Sequence, residues 1–312
     1  MPRSRNAPAA RPKGDSPAVA LVVDAIDWHA RELTKAFAAL GARAVPVALS
    51  ACAIATQSRF GLRIPGFVDR PPDAVLVRSM SGGTFEAVTL RLGILHALRE
   101  LGVLVWNDGR AIERCVDKSM TSFLLARAGI ATPATWATES GETAREIVRH
   151  ETAHGALVLK PLFGSQGRGL KLIHAEADLP DAGIAGVTYL QRFVGSERGG
   201  FHDFRLFVSH GRVVAAMARH AQGWITNVKQ GGKPVAAVAD AEMKELAVRA
   251  TATVGADFAG VDVLRGAEGP MVLEVNSMPA WSGLQKVTPF RIATVLAGDL
   301  LAALAAKARA AV

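Results

Sequence analysis

The sequence predicts an α/β protein that also contains α+β elements. Between residues 18 and 110, short apolar runs alternate with segments of helical periodicity, which is the pattern of a parallel sheet with crossover helices. Later in the chain, apolar runs are joined by glycine-rich turns, and these predict antiparallel hairpins. At 312 residues and 50% apolar content, the chain is long enough for two or three subdomains with large buried cores.

Residues 1–17 are predicted to form a disordered basic tail, because they contain Pro, Ala, Arg and Lys but no apolar segment of a signal peptide. No apolar run is long enough to cross a bilayer, so we expect no membrane segment. Cys52 and Cys115 are the only cysteines. This excludes a disulfide scaffold and favours the reducing environment of the cytoplasm.

The net charge of +8 raises nucleic-acid binding as an alternative. Part of the excess lies in the tail, the chain has one Tyr, and no run of mixed aromatic and basic residues occurs. A surplus of Lys and Arg equally suits small anions such as nucleotides and polycarboxylates. We therefore expect small-molecule partners and no nucleic acid.

The N-terminal subdomain, residues 18–112, is predicted to hold four strands and two helices. Their ranges, in chain order, are 18–23, 28–40, 44–47, 73–78, 84–101 and 103–107. Gly41 and Gly102 stop the two helices, as glycine commonly does at a helix C-terminus. Arg78 ends the third strand, at the sheet edge where open α/β sheets usually bind ligands.

The rest of the chain divides into a central subdomain, residues 113–190, and a C-terminal subdomain, residues 191–312. Helical periodicity and apolar runs predict helices at 118–128, 142–151 and 240–254 and a buried strand at 156–161. An Ala- and Leu-rich helix at about residues 290–310 is expected only to pack.

A hairpin near the C-terminus carries the most informative side chains. The apolar, β-branched runs 260–264 and 271–276 are separated by residues with turn chemistry. Glu274 and Asn276 are two residues apart, so they project from one face of their strand. Asp262 lies on the partner strand and can reach the same place.

These three residues are candidate ligands of a hard cation such as Mg²⁺, since they offer oxygen atoms and no His or Cys is nearby. The alternative is that Asp262 and Glu274 are solvated residues of adjacent strands. Like charges facing each other across a hairpin repel unless a cation lies between them, and an unpaired carboxylate in an apolar run is costly. Both interpretations are open on these residues alone.

Residues 164–169, Gly-Ser-Gln-Gly-Arg-Gly, form a glycine-rich loop. It lacks the Gly-Lys-Ser/Thr ending of a P-loop, and the residues after it alternate as a strand rather than opening the helix of a dinucleotide fingerprint. We expect a lid between two strands, whose backbone at Ser165, Gln166 and Gly167 faces phosphates. Lys160, at the end of the preceding strand, can reach the same phosphates, and a plain glycine hairpin is the alternative.

Two further segments contain candidate binding residues. Residues 191–194 indicate a strand that runs into a linker, where exposed backbone groups can pair with an adenine edge. In the predicted strand at 202–208, Asp203 can hold a ribose or a lysine, and Arg205 can hold a carboxylate or a phosphate. A simple surface ion pair is the competing interpretation.

Together these segments resemble the ATP-grasp superfamily, specifically its RimK-like amino-acid ligase branch. The matching motifs, in order, are Lys118, 158–161, 164–169, 191–194, 203–205, Asn227 with Gly231 and Gly232, 260–262 and 274–276. The resemblance covers about residues 18–300. It implies an ATP-grasp fold of three subdomains, with ATP clasped between the central and C-terminal ones. It also implies a reaction that joins a carboxylate to an amine and releases ADP and phosphate.

The resemblance implies a role for each matching residue. The implied ATP contacts are Lys118 and Lys160 for the phosphates, Gln191, Arg192, Phe193 and Val194 for the adenine, and Asp203 for the ribose. The implied ligands of one or two Mg²⁺ ions, which Mn²⁺ can replace, are Asp262, Glu274 and Asn276. Arg205 and Asn227 are implied to lie near the transferred phosphate and to act in catalysis together with Lys160.

One position departs from the family pattern. Many relatives carry an Arg two residues before Asn227, where this chain has Ile225. The departure puts a carboxylate or phosphate contact in doubt, and Lys229 or Arg219 can compensate for it. The candidates for binding the substrate carboxylates are Arg78, Arg205 and Arg219.

The implied mechanism is phosphoryl transfer from ATP to an acceptor carboxylate, followed by attack of an amine on the acylphosphate. Residues 160–165, Lys-Pro-Leu-Phe-Gly-Ser, look closest to glutamate ligases of pterin and furan one-carbon-carrier cofactors. We therefore expect glutamate to be added to a methanopterin- or methanofuran-type precursor. The alternatives are a ligase for a peptide, a protein tail or an amino-acid biosynthesis intermediate, and a nucleotide-binding module without catalysis. The resemblance also implies a homo-oligomer, a dimer or a tetramer.

Overall fold

The computed structural model describes residues 16–310 except Ser165, Ala182 and residues 196–199. Within these residues the chain forms two four-stranded sheets, one five-stranded sheet and a two-stranded ribbon. The predicted α/β fold class is confirmed, with a parallel sheet first and antiparallel sheets after it. Residues 1–15 of the predicted tail lie outside the described part. Among the described residues, no helix combines the length and apolarity needed to cross a membrane.

The N-terminal sheet is parallel, as its alternating strands and helices predict. This part of the chain contains β1 (Ala18–Val22), α1 (Trp28–Ala39), β2 (Arg43–Val47), β3 (Ala53–Ile54), β4 (Leu62–Arg63), β5 (Ala74–Val77), α2 (Phe85–Glu100) and β6 (Leu104–Trp106). Strands β3 and β4 form the separate two-stranded ribbon. The strand order is β2–β1–β5–β6, and each neighbouring pair is parallel. Every residue of β1 and β5 is buried, which is why both strands read as continuous apolar runs.

The central sheet is antiparallel. Its part of the chain contains α3 (Gly109–Val116), α4 (Lys118–Arg127), β7 (Thr135–Thr138), α5 (Gly141–Glu151), β8 (Leu157–Lys160), β9 (Lys171–Ile173) and β10 (Thr188–Arg192). The strand order is β7–β10–β8–β9. Because β8 and β9 are antiparallel neighbours, the glycine-rich loop joins two strands, as predicted. Strand β10 continues past residue 190, where the sequence interpretation placed a subdomain boundary.

The C-terminal sheet contains the predicted hairpin. Its elements are β11 (Phe201–Ser209), β12 (Arg212–Ala221), β13 (Lys233–Ala236), α6 (Ala241–Val254), β14 (Phe258–Gly266), β15 (Gly269–Asn276), α7 (Ser282–Gln285) and α8 (Ile292–Ala310). The strand order is β13–β12–β11–β14–β15. The hairpin is β14–β15, and both strands extend beyond their apolar runs, so that only Ala267 and Glu268 lie between them.

Helix α8 ends the described chain but packs on the first subdomain. Its Leu296 and Leu300 share a buried core with Phe37 of α1. The same core includes Phe207 of β11 and Trp281. A continuous apolar cluster therefore joins the N-terminal and C-terminal sheets, and the predicted packing helix is part of it.

Candidate active site

A cavity of about 290 Å³ lies between the central and C-terminal sheets, and we call it the intersheet cavity. Its lining includes thirteen of the predicted site residues: Lys118, Lys160, Gln166, Gly167, Gln191, Arg192, Phe193, Val194, Asp203, Arg219, Asn227, Asp262 and Glu274. More Lys and Arg than carboxylate side chains line it, which suits a polyanionic ligand. Of the other predicted residues, Arg78, Arg205 and Asn276 lie outside this lining, and Ser165 lies outside the described residues.

Lys160 ends β8 inside the cavity. Its Nζ donates a hydrogen bond to Oε1 of Gln191 on the neighbouring strand β10. Burial lowers the pKa of Lys160 to about 8, the Lys118 ammonium adds to the decrease, and Glu274 and Asp262 oppose it. A half-buried ammonium whose charge is partly desolvated is a favourable site for an incoming anion.

Lys118 contacts both the start of the glycine-rich loop and Glu274 of the hairpin. It is the first residue of α4, whose N-terminus is capped by Asp117. Its Nζ donates to the carbonyl oxygens of Leu162 at 3.3 Å and Gly164 at 2.8 Å, and it lies 4.0 Å from Oε1 of Glu274. Lys118 therefore lies between the loop and the candidate metal residues.

The hairpin register brings the two candidate carboxylates together, as the sequence predicts. Asp262 pairs with Glu274 and Gly260 pairs with Asn276 across the two strands. Nδ2 of Asn276 donates to the carbonyl oxygen of Gly260 at 3.3 Å, which leaves the amide oxygen as the atom a cation would use. Among the described residues, no three His, Cys, Asp or Glu side chains form a metal-binding group. Two carboxylates and one amide oxygen nevertheless fit Mg²⁺, which takes few protein ligands.

Asp262 belongs to a buried chain of ion pairs that sequence reasoning missed. Arg205 binds it in a bidentate manner, with Nη2 at 2.6 Å from Oδ2, and Nη2 of Arg219 lies 3.1 Å from the same oxygen. Arg219 also binds Asp203 through two contacts, including Nε to Oδ1 at 2.7 Å. Burial raises the pKa of Asp262, but the two guanidinium groups outweigh it and hold the pKa below its usual range.

The ion pairs determine which of these charged groups remain available to bind a ligand. Asp203 and Arg219 are nearly fully buried and satisfy each other, so they act first as a fixed pair beside the cavity. Arg205 contributes its guanidinium to Asp262 alone among the ion pairs found in the described residues. It can turn to another anion while Asp262 stays paired with Arg219.

The glycine-rich loop reaches across the cavity to the C-terminal sheet. Gly167 has a φ of +70°, and a Cβ built on it would lie 2.6 Å from Oδ1 of Asn227 and 2.8 Å from Cγ2 of Ile225. A side chain at this position would therefore clash as well as strain the backbone. The side chain of Ile225 matters here, because it is apolar and packs against the loop at the position where the family pattern leads us to expect an Arg.

The predicted adenine segment differs in detail from the sequence interpretation. The guanidinium of Arg192 is already paired within the chain, since its Nη1 donates to the carbonyl oxygens of Glu151 and Gly155 at 2.8 Å each. The backbone N–H of Phe193 donates to the carbonyl oxygen of Ala156 at 2.9 Å, so it is already used in pairing.

An aromatic wall beside this segment was not predicted. The ring of Trp224 meets that of Phe193 edge-on, with centroids 6.0 Å apart, and both residues line the cavity. Val158 and Leu273 complete an apolar lining there, which suits a flat heteroaromatic ring. The sequence offered no periodic signal for Trp224, because it lies in an irregular loop.

Arg78 lies at a second polar cluster, beside the segment that follows β15. Its guanidinium carbon is 5.3 Å from the ring centroid of Trp281, and Nη2 is 3.7 Å from Oδ2 of Asp27. Burial lowers the pKa of Arg78, and Asp27 opposes this shift. Its Nε is a buried donor without a hydrogen-bond partner among the described residues.

Comparisons with known proteins identify the family of this chain. Residues 115–300 match the RimK-like ATP-grasp domain family. The tetrahydromethanopterin:α-L-glutamate ligase of Methanosarcina acetivorans is 33% identical over 247 residues, which cover 68% of this chain and 74% of that protein. A probable α-L-glutamate ligase of Legionella pneumophila (strain Paris) is 34% identical over 229 residues, which cover 67% of this chain and 74% of that protein.

Solved structures share the fold. The ATP-grasp ligase PsnB, complexed with a minimal precursor, Mg and ADP, has a TM-score of 0.70 at 22% sequence identity, and the match covers 92% of this chain and 98% of that chain. A RimK domain ATP-grasp protein from Sphaerobacter thermophilus DSM 20745 has a TM-score of 0.68 at 22% identity, covering 91% of this chain and 99% of that chain.

The family match, the relatives and the fold show that the protein is an ATP-dependent carbon–nitrogen ligase with an ATP-grasp fold. Within that class, the chain belongs to the RimK-like ATP-grasp family.

Proposed function

We propose that the protein adds L-glutamate to a carboxylate of a pterin- or furan-type one-carbon-carrier precursor, at the expense of ATP. The observation that carries the proposal is the intersheet cavity, where Lys118 and Lys160 lie beside Asp262 and Glu274. Relatives at 33% and 34% identity that bear the name α-L-glutamate ligase support the choice of amino acid. The solved PsnB complex with ADP and Mg supports ATP and Mg²⁺ as the cofactors.

The reaction has two steps. An oxygen of the acceptor carboxylate attacks the γ-phosphorus of ATP, and the bond from that phosphorus to the bridging oxygen breaks, which yields an acylphosphate and ADP. The free amine of glutamate then attacks the acyl carbon, the carbon–oxygen bond to phosphate breaks, and the nitrogen loses a proton. The products are an amide and inorganic phosphate.

Residues of the intersheet cavity serve the first step by position and charge. In the proposal, the ammonium groups of Lys118 and Lys160 bind the phosphates of ATP and offset charge during transfer. Asn227 and Arg205 contact the transferred phosphate. Ser165, Gln166 and Gly167 are proposed to act as a lid that covers the phosphates and keeps water from the acylphosphate. The proposed contacts of the rest of ATP are Gln191, Arg192, Phe193 and Val194 at the adenine and Asp203 at the ribose.

Asp262, Glu274 and Asn276 are proposed to hold Mg²⁺, with Mn²⁺ as a substitute. When bound, the metal supplies charge neutralisation at the β- and γ-phosphates. Arg205 shares Asp262 with Arg219, so it is the guanidinium that can turn to a phosphate or a substrate carboxylate.

The carboxylates of the substrates need further cations. Arg78 is proposed as one contact, because it is buried and its Nε has no hydrogen-bond partner among the described residues. Arg219 is a weaker candidate in this arrangement, since Asp203 and Asp262 already occupy its guanidinium. Because Ile225 is apolar and cannot bind a carboxylate, Arg78 and Arg205 are the main candidates for binding the substrate carboxylates.

A screen for ADP release tests the proposed function. The purified protein is incubated with ATP, Mg²⁺, L-glutamate and a panel of carboxylates that includes pterin and furan cofactor precursors, short peptides and amino-acid intermediates. We expect release only when glutamate and a pterin or furan precursor are both present, with one amide formed per ADP. Release that requires a peptide acceptor instead would contradict the proposal, and no release with any pair would indicate a non-catalytic nucleotide-binding module.

The proposal also covers the cellular location, the oligomeric state and the metal preference of the protein. Cys52 and Cys115 are both buried and unpaired, which supports a reducing, cytoplasmic location. A homodimer or homotetramer is proposed from the resemblance, and light scattering of the purified protein measures it. Mn²⁺ activation is measured by replacing Mg²⁺ in the ADP-release assay.

Raising the pH through about 8, the pKa of Lys160, is expected to weaken ATP binding. Phosphate oxygens favour the ammonium form, so this contact is complete below the pKa and is lost as the proton leaves above it. The affinity should be nearly constant up to about pH 7.5 and then fall by at most about tenfold per pH unit. Calorimetric titrations across this range measure the change, and a flat profile up to about pH 9.5 would contradict the assignment.

Replacing Gly167 by alanine is expected to lower kcat by roughly 5- to 30-fold, since left-handed backbone costs a side chain about 1 to 2 kcal/mol before the clash with Asn227 is counted. The KM for ATP should change less, because the substitution opposes closure of the lid. Steady-state kinetics measure both constants. Gly186→Ala is the matched control: its φ is +82° but a Cβ there meets nothing within 4 Å, and equal losses in both variants would remove the lid contact from the explanation.

A further inference from the structure

Three polar side chains of the N-terminal subdomain hold one short segment of the C-terminal subdomain. They are His29 at the start of α1, Arg78 after β5 and Asn107 after β6, all at the carboxyl edge of the parallel sheet. The segment is residues 277–281, which directly follows the candidate metal ligand Asn276. We call it the post-hairpin segment.

Asn107 makes the most complete of these contacts. Its side chain is fully buried, and its Nδ2 donates to the carbonyl oxygens of Phe258 and Ser277 at 2.7 Å each. Its Oδ1 accepts from the backbone N–H groups of Asp257 at 2.6 Å and Phe258 at 3.2 Å. One amide therefore ties the beginning of β14 to the residue after β15, using all the hydrogen bonds that an amide can make.

His29 holds the other end of the post-hairpin segment. Its Nδ1 lies 2.8 Å from Oδ2 of Asp27, and its Nε2 accepts the backbone N–H of Trp281 at 3.1 Å. Its ring packs edge-on against the indole of Trp281, with centroids 4.7 Å apart. The donation from Trp281 requires a lone pair on Nε2, so Nδ1 carries the proton that Asp27 accepts.

Arg78 contacts the middle of the segment, where Nη1 lies 3.4 Å from the carbonyl oxygen of Met278. Ser277, Met278 and Trp281 are thus held by residues from three separate segments of one subdomain. A segment of five residues held at both ends leaves little freedom to Asn276, which adjoins it.

We propose that His29 and Asn107 are positioning residues that hold the metal-binding hairpin in register with the N-terminal sheet. On this account the N-terminal subdomain and β14–β15 form one rigid unit. The inference rests on the proposed metal role of Glu274 and Asn276. The affinity for Mg²⁺ then depends on a bond at Trp281, outside the intersheet cavity.

Two substitutions at His29 separate the Trp281 bond from the Asp27 bond. In His29→Gln, the side-chain oxygen can take the place of Nε2 and accept from Trp281. In His29→Asn, the shorter amide can replace Nδ1 and donate to Asp27, but it does not reach Trp281. His150→Asn, on the exposed surface of α5, is the matched control.

Two measurements on these variants do not depend on activity. Calorimetric titration of Mg²⁺ into protein saturated with ADP should show affinity reduced by about tenfold in His29→Asn, the low end of the range for outer-shell partners of a metal. His29→Gln and His150→Asn should keep the wild-type value. Hydrogen exchange of the peptide that covers the post-hairpin segment should accelerate in His29→Asn alone, with ADP affinity in EDTA unchanged.

The inference is wrong if folded His29→Asn keeps wild-type Mg²⁺ affinity, or if His29→Gln loses as much, because the loss would then follow ring packing and not the Trp281 bond. Failure of the proposed function is a separate result: wild-type protein would show no ADP release with any substrate pair, or no Mg²⁺ binding in the presence of ADP.

Discussion

Glu274→Gln is expected to lower turnover by at least about 100-fold, beyond the 10- to 100-fold typical of outer-shell partners of a metal. Glutamine keeps the size of the side chain and removes the negative charge that faces Asp262 across the hairpin. The substitution should leave the fold intact, because Glu274 is partly exposed and its nearest ion-pair partner, Lys118, is 4.0 Å away. ADP release at saturating substrates measures turnover, and thermal unfolding checks the fold.

Glu268→Gln is the matched control for this prediction. It removes the same charge from the turn of the same hairpin, where the side chain is exposed, and it should retain wild-type turnover. Near-normal ATP consumption by Glu274→Gln would remove this residue from the metal site.

Lys160→Ala is expected to weaken ATP binding by about 10- to 100-fold, since hydrogen bonds to charged groups contribute about 1.5 to 3 kcal/mol. The lysine is half-buried, desolvation lowers its pKa to about 8, and an anion that enters the cavity provides a favourable partner for its charge. Calorimetric titration with ATP measures the affinity. The pH dependence of binding above about 8 should disappear in the same variant.

Lys171→Ala serves as its control. Lys171 begins β9, on the far side of the glycine-rich loop, and its side chain is exposed. Equal affinity of wild type and Lys160→Ala for ATP would contradict the phosphate assignment. An equal loss in Lys171→Ala would show that net charge, and not the position of Lys160, governs binding.

Much of the fold could be predicted because local patterns decide it. The buried strands β1 and β5 are short apolar runs, each followed by a helix that ends two residues before a glycine, so a parallel sheet is the expected arrangement. The hairpin β14–β15 follows from its apolar runs and turn, and the sequence correctly brought Asp262 and Glu274 to one place. Their direct pairing depends on a register shift between Asp262 and Val263, which the pattern did not show.

Contacts between distant segments could not be predicted in the same way. The pairs that Asp262 makes with Arg205 and Arg219 depend on which strands are neighbours in the five-stranded sheet. Periodicity gives the face of a strand but not its neighbour. For the same reason, the sequence did not show that Arg192 turns toward Glu151.

The spacing between Asn227 and Gly232 is explained only by the structure. The backbone N–H of Gly232 donates to the carbonyl oxygen of Asn227 at 3.1 Å. A Cβ on Gly232 would lie 1.9 Å from the carbonyl oxygen of Thr226, so no side chain fits there. The glycine lets the turn close tightly enough to present Asn227 to the cavity.

Isotope transfer tests the central claim, an acylphosphate made from ATP, most directly. A pterin-type acceptor labelled with ¹⁸O in its carboxylate is converted in the presence of ATP, Mg²⁺ and L-glutamate, and the inorganic phosphate is analysed by mass spectrometry. The account predicts one ¹⁸O atom in the phosphate for each amide formed, because a carboxylate oxygen leaves with the phosphoryl group. Unlabelled phosphate accompanying amide formation would contradict it.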